Sequence, residues 1–175
     1  MAGKLGVNVC TEKPLATNYN DLLLLSKVFK GNKAKLFVVL QQRVNPYIQI
    51  LKKQIDSGRF GKIALITSNL FWQRDQSYYD EARWRGTKHF DGGLLLNQGC
   101  HFLDLMSFLP NEKIDKISCF TSTLDRRIEI DNSAILNIKY ANGILGSFSS
   151  TLVNYPSNLE SSISILGSLG SVKIG

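Results

Sequence analysis

The chain is poor in the residues that would signal a covalent frame or a metal centre. Its three cysteines, Cys10, Cys100 and Cys119, are odd in number, far apart and without a C-x-x-C. That excludes a disulfide scaffold or zinc ribbon and reads as reduced thiols in a cytoplasmic protein. There are two histidines, His89 and His101. Neither has the cysteine, histidine or aspartate spacing of a metal site, so no metal is expected. No apolar run approaches the length of a membrane span, and the N-terminus has no apolar signal core, so no membrane partner is expected. Repeats and low-complexity tracts are also missing.

Acidic residues are the minority, 14 against 21 basic, for a net charge of +7. The basic residues are scattered, and the densest group, Arg83, Arg85 and Lys88, lies between Tyr79 and Lys88. Such a distribution suits an anion pocket or an ordinary solvated surface better than a nucleic-acid stripe, and no nucleic-acid motif is present. A hydrophobic content of 43% with 20% charged residues belongs to globular chains, which rules out wholesale disorder. The 175 residues suffice for one domain with a core, or one domain and part of another.

What is present begins as strand, helix, strand. Val7 to Cys10 reads as a short strand, and Tyr19 to Phe29 has helical periodicity behind a cap at Asn18 or Asn20. The unbroken apolar run Leu36 to Leu40 reads as a strand buried on both faces. Asn45 and Pro46 then mark the cap and first residue of a helix ending near Gly58. After the β-rich run Ile63 to Trp72, residues Gln73 to Gly86 show neither period and read as a loop. Its tyrosines, tryptophan and arginines suit either ligand contact or a solvated connection.

The centre of the chain is Asp91-Gly92-Gly93 running through Asn97 and His101 to Asp104. As a regular helix from about Gly93, it puts Asn97, His101 and Asp104 on one face. Its other positions are apolar almost all round, the pattern of a buried helix. Two readings stand side by side: a core histidine satisfied by its neighbours, and a site in which an amide and a carboxylate flank an imidazole. Strands follow at Ile117 to Thr123, Ala134 to Tyr140, Ile144 to Thr151, Ser162 to Leu166 and Val172 to Ile174. Asn142-Gly143 makes one hairpin turn, and the alternation Ala134/Leu136/Ile138 implies one covered face. The fold class is therefore α+β: a fragment of an α/β sheet, then a largely antiparallel open sheet with helices on one face.

Two separated stretches carry a resemblance. One is Glu12-Lys13-Pro14 after a strand; the other is Gly92-Gly93 through Gly99-x-His101-x-x-Asp104. Gln42-Arg43 and the Asn142-Gly143 hairpin fall between and after them. Together they resemble the Gfo/Idh/MocA family of NAD(P)-dependent sugar and polyol oxidoreductases. Asn97-Gln98-Gly99 and Trp84-Arg85-Gly86-Thr87 look most like its UDP-N-acetylglucosaminuronate 3-dehydrogenase branch. The resemblance implies that Lys13 is the active-site lysine and His101 the group that exchanges the hydroxyl proton. It places Glu12, Lys13, Pro14, Gln42 and Arg43 on an NAD or NADP cofactor, and Asn97, Arg85, Lys88 and Asp104 on a sugar or nucleotide-sugar substrate. Many members have an aspartate where Asn97 stands, so catalysis would rest more on Lys13 and His101.

The family's G-x-G-x-x-G is absent. The chain is accordingly expected to start near the end of a dinucleotide-binding domain, residues 1–41, and to continue as a substrate and oligomerisation domain, 42–175, incomplete at its C-terminus. Hydride transfer at a sugar hydroxyl is the expected chemistry, with activity of the chain by itself in doubt. A catalytically silent remnant serving oligomerisation or sugar binding is the other expectation. Without its sheet neighbours the apolar strand Leu36 to Leu40 would be an exposed edge, so association is expected, either with a second copy through the antiparallel sheet or with a separate nucleotide-binding half.

Overall fold

The computed structural model describes residues 1–16 and 18–175. The chain divides into two compact units, Met1–Gln41 and Gln42–Gly175.

In the first unit a short 3-10 turn, Ala2–Leu5, precedes strand β1 (Val9–Glu12), helix α1 (Tyr19–Gly31) and strand β2 (Leu36–Val39). The strands pair in parallel, Val9 opposite Leu36 and Glu12 opposite Val39. Asn18 begins α1 because its side-chain oxygen accepts from the otherwise unpaired N–H of Asp21, at 2.9 Å. Phe29 is the buried side chain of α1, packed over Gly3. The expectation of a strand buried on both faces does not hold for β2, since Phe37 is 52% exposed. With only β1 beside it within this unit, one face of the ribbon carries no covering layer.

The second unit is a six-stranded sheet covered on one face by helices. Its strands are β3 (Ile63–Phe71), β4 (Ile114–Ser122), β5 (Ser133–Tyr140), β6 (Leu145–Thr151), β7 (Glu160–Gly167) and β8 (Gly170–Ile174). The order is β4-β5-β6-β3-β7-β8, antiparallel throughout except for the β3–β6 pair. Period-two alternation fixes the register: Ala134, Leu136, Ile138 and Tyr140 are buried while Ile135, Asn137 and Lys139 are exposed. The inward row meets α2 (Pro46–Asp56) through Ile48 and Leu51, and α4 (Cys100–Phe108) through Phe102, Leu105 and Met106. Asn45 caps α2 by accepting from Tyr47 N–H, and Pro46 stands where a missing N–H costs nothing. Each fully buried aliphatic side chain in this layer stabilises the fold by about 1.5–3 kcal/mol.

Between β3 and β4 the chain builds the structure that bears on function. The stretch Gln73 to Gly86 is not simply a loop. It contains a short helix, α3 (Gln76–Asp80), because Asp75 accepts from Tyr78 N–H and Ser77 O–H while Tyr79 goes inward. Among the described residues no helix is long and apolar enough to cross a membrane, and no disulfide forms.

Candidate functional site

The segment leading into the central helix is tied to a buried carboxylate. Asp91 accepts the backbone N–H of Gly86 on Oδ2 at 2.7 Å, and its own N–H donates to Thr87 O at 3.0 Å. The chain then passes through Gly92 and Gly93, both with left-handed φ, +75° and +86°. Gly93 is needed twice over. Its φ disfavours any side chain, and a Cβ there would stand 2.7 Å from Oδ1 of Asp131. Asp131 thus sits against the start of the helix, with its main-chain carbonyl accepting from Leu94 N–H at 3.1 Å. Burial raises its carboxyl above the ordinary range, against hydrogen bonds from its own N–H and that of Leu94, which pull it down.

The helix does not run regularly from Gly93 to Met106. Residues Leu95–Gly99 form a π turn that leads into α4. One extra residue per turn breaks the spacing that would place Asn97 directly over His101, and such turns are frequent at functional sites. Asn97 donates from Nδ2 to Oδ1 of Asp91 at 2.8 Å. The helix is also not buried all round, for Leu96 is 46% exposed. Gly99 lets the turn lie close over the sheet, where a Cβ would meet the Phe148 ring at 3.3 Å.

His101 follows in the first turn of α4 and is buried. One turn on, Asp104 takes two hydrogen bonds from Arg43, Nε to Oδ2 at 2.8 Å and Nη2 to Oδ1 at 2.6 Å. The pair fastens the turn Gln41–Val44 to α4, and hydrogen bonding to Asp104 raises the Arg43 guanidinium above its ordinary value. Phe108 lies under that guanidinium, 4.8 Å from ring centre to Cζ. Gln42 is half-buried in the same turn, its carbonyl accepting from Asn45 N–H at 3.2 Å.

A small, partly open cavity beside the π turn is lined by Arg74, Tyr78, Tyr79, Asp91, Asn97 and Gln98, among others. Burial, and after it the charge of Asp91, pushes the Tyr79 phenol up to about 12. Arg85 is anchored in place: Nη1 donates to Tyr78 O at 2.7 Å and to Glu81 Oε2 at 2.8 Å, and its guanidinium stacks on Tyr78. Lys88 is exposed at an open polar cleft that also includes Thr121, Ser122, Glu129 and Asp131. His89 is exposed too, its ring edge-on to Phe90. Among the described residues no group of three or more histidines, cysteines or acids could hold a metal ion.

Glu12, Lys13 and Pro14 belong to the first unit, at the carboxyl end of β1 and next to the carboxyl end of β2. In parallel α/β sheets that end is where ligands bind. Lys13 is half-buried there, between exposed Glu12 and Pro14.

Comparison with known proteins gives this geometry a lineage. Residues 48–173 match the GFO/IDH/MocA C-terminal domain. The chain belongs to that family. Among solved structures, the WlbA dehydrogenase from Bordetella pertussis in complex with NADH and UDP-GlcNAcA is 42% identical over 98% of this chain. It superposes with a TM-score of 0.92, and this chain covers 53% of it. The WlbA dehydrogenase from Chromobacterium violaceum, also in complex with NADH and UDP-GlcNAcA, is 43% identical over 98% of this chain and 50% of its own, with a TM-score of 0.92. Inositol 2-dehydrogenase of Rhizobium meliloti (strain 1021) is 26% identical over 69% of this chain and 34% of its own. The chain therefore spans about half the length of these solved relatives and about a third of that curated one.

Two residues of this site were not assigned a role by sequence reading. Asp91 had a signal, its place directly before Gly92-Gly93. Asp131 had none, because only the fold carries it to the start of a helix that lies some 40 residues earlier in the chain.

Proposed function

We propose that this chain supplies the proton-transferring and sugar-binding part of a nicotinamide-dependent oxidoreductase acting on a hydroxyl of a nucleotide-sugar. The observation that carries the reading is the buried His101 at the end of a glycine-gated π turn, in a chain 42% identical over 98% of its length to an enzyme solved with NADH and UDP-GlcNAcA. UDP-N-acetylglucosaminuronate, oxidised at carbon 3, is the substrate this favours.

The roles follow from the chemistry of the side chains. Oxidising an alcohol removes a proton from oxygen as hydride leaves carbon. His101 takes the proton, since an imidazole with an ordinary pKa of about 6.5 is suited to both states near neutrality. Lys13, by the family resemblance, favours the alkoxide with its ammonium charge. Asn97 holds the sugar, and Arg85, Lys88 and Asp104 border that end of the site. A nicotinamide group, NAD or NADP, supplies the hydride acceptor when bound. Glu12, Lys13, Pro14, Gln42 and Arg43 are the residues assigned to it. The placement of Lys13 at the carboxyl end of a parallel strand pair fits such a group. Residues 1–41 are on this reading the last part of the dinucleotide-binding domain, in a cytoplasmic enzyme.

The uncovered face of the six-stranded sheet supports a further part of the proposal, contact with a second copy of the chain. Phe120, Ile135 and Leu145 are more than half exposed on it, and an apolar cleft of about 450 Å³ lies among Phe71, Phe120, Leu124 and Ile135. The test of function is reduction of NAD or NADP on adding UDP-N-acetylglucosaminuronate, in the parent and in His101→Ala. Turnover that the variant loses supports an enzyme. Sugar-nucleotide binding without turnover leaves the silent binding module, and neither binding nor turnover overturns both.

A further inference from the structure

Asp91 is a carboxylate 8% exposed, with both oxygens engaged. Oδ2 receives the Gly86 backbone N–H at 2.7 Å, and Oδ1 receives Nδ2 of Asn97 at 2.8 Å. A backbone N–H can only donate and a carboxylate can only accept. The orientation of the Asn97 amide is thereby fixed, nitrogen toward Asp91 and carbonyl oxygen away from it. The π turn and the two left-handed glycines fix where that amide stands. Tyr79, 5% exposed, lines the same small cavity as Asp91 and Asn97.

We infer that Asp91 is a positioning residue that holds Asn97 as a hydrogen-bond acceptor, so that the site reads a donor on the sugar, a hydroxyl or an amide N–H. The inference rests on the reading of this helix start as the sugar site. Its consequence is chemical: any group that meets Oδ1 of Asn97 brings a hydrogen to it. A substrate presenting a carbonyl or carboxylate oxygen at that point is rejected, because two acceptors then face each other.

The test exchanges the two side chains. In Asp91→Asn the Gly86 N–H still takes an oxygen, so the new amide turns its nitrogen toward position 97. Asn97 must then flip and present its own nitrogen outward. In the double variant Asp91→Asn/Asn97→Asp, the amide at position 91 donates to the carboxylate at 97, and the outward group is an acceptor again. Binding of UDP-N-acetylglucosaminuronate is measured by calorimetry, and exchange of the Asn97 side-chain amide protons by NMR. Thermal unfolding confirms that each variant is folded.

The single variant is expected to bind about tenfold more weakly, with faster exchange at Asn97. The exchanged pair is expected to return to within about threefold of the parent. Parent-like binding and exchange in Asp91→Asn, or an exchanged pair as weak as the single variant, overturns the inference. If Asp91→Asn does not fold, the exchanged pair decides alone: recovery upholds the inference and a loss of about tenfold or more overturns it. If the parent chain binds no sugar nucleotide, the sugar-site reading fails. Amide exchange at Asn97 in parent and single variant then still upholds or overturns the role of Asp91.

Discussion

At its start, the helix that bears His101 is entered through two left-handed glycines and a π turn, and is held by Asp91 and Asp131. At its far end, Leu105, Met106 and Leu109 are buried against Leu136, Tyr140 and Phe148, and the Tyr140 hydroxyl donates to Met106 O at 2.7 Å. The first end is irregular, polar and partly open. The second is regular, apolar and closed. An unusual backbone turn persists only where the surroundings over-determine it, and here the packed end provides that support. Stability is concentrated at one end, and groups with chemistry stand at the other.

Mutations at the two ends should separate these roles. Leu105→Ala, at the packed end, is expected to cost about 3 kcal/mol from lost burial and the cavity left behind, read from urea unfolding. Its Asn97 side-chain amide resonances should stay where they are under native conditions. A cost below about 1 kcal/mol would mean that the packed end is not the anchor. Gly93→Ala, at the open end, is expected to cost about 1–3 kcal/mol through its positive φ, and to shift the Asn97 and His101 resonances by displacing Asp131. Parent-like resonances there would show that the turn does not depend on its glycine.

The smallest effect is one of pH. The Asp131 carboxyl is raised above its ordinary 3.8, mainly by burial. The folded state therefore holds this proton to higher pH than the unfolded state does. Stability from this group is greatest below 3.8 and falls as pH rises through the window between 3.8 and the raised folded value. Asp131→Asn removes the effect, so urea midpoints of parent and variant should differ in slope across that window. Equal slopes would mean that the carboxyl is not perturbed by its place at the helix.

The sheet was legible in the sequence to the extent that period two was clean. Ala134, Leu136 and Ile138 give β5 its covered face, and Asn142-Gly143 gives the β5–β6 hairpin. Asn18 or Asn20 and the Asn45-Pro46 pair marked two helix starts, because those residue types satisfy or lack the N–H groups that open a helix, and the structure takes Asn18 for the first. The π turn was not legible. Leu95 to Gly99 fit a regular helix as well as a π turn, and the choice is made by contacts with the Asp91 side chain and with Phe148, which is distant in the chain. Helix α3 was hidden because five residues are too few to show a period, and its Asp75 cap lies in a polar run. The exposure of Phe37 and Leu96 could not be read either, since apolar runs state what could be buried and not what covers it.

The central claim is that the sugar nucleotide binds at the open end of this helix. Chemical-shift mapping of the isotopically labelled chain with UDP-N-acetylglucosaminuronate tests it most directly. The account predicts shifts confined mainly to Gly86 through Asp104, with Asn97 and His101 among the largest and Leu105 to Leu109 little changed. Shifts centred instead on the uncovered sheet face, at Phe120 and Ile135, or none at millimolar ligand, would contradict it.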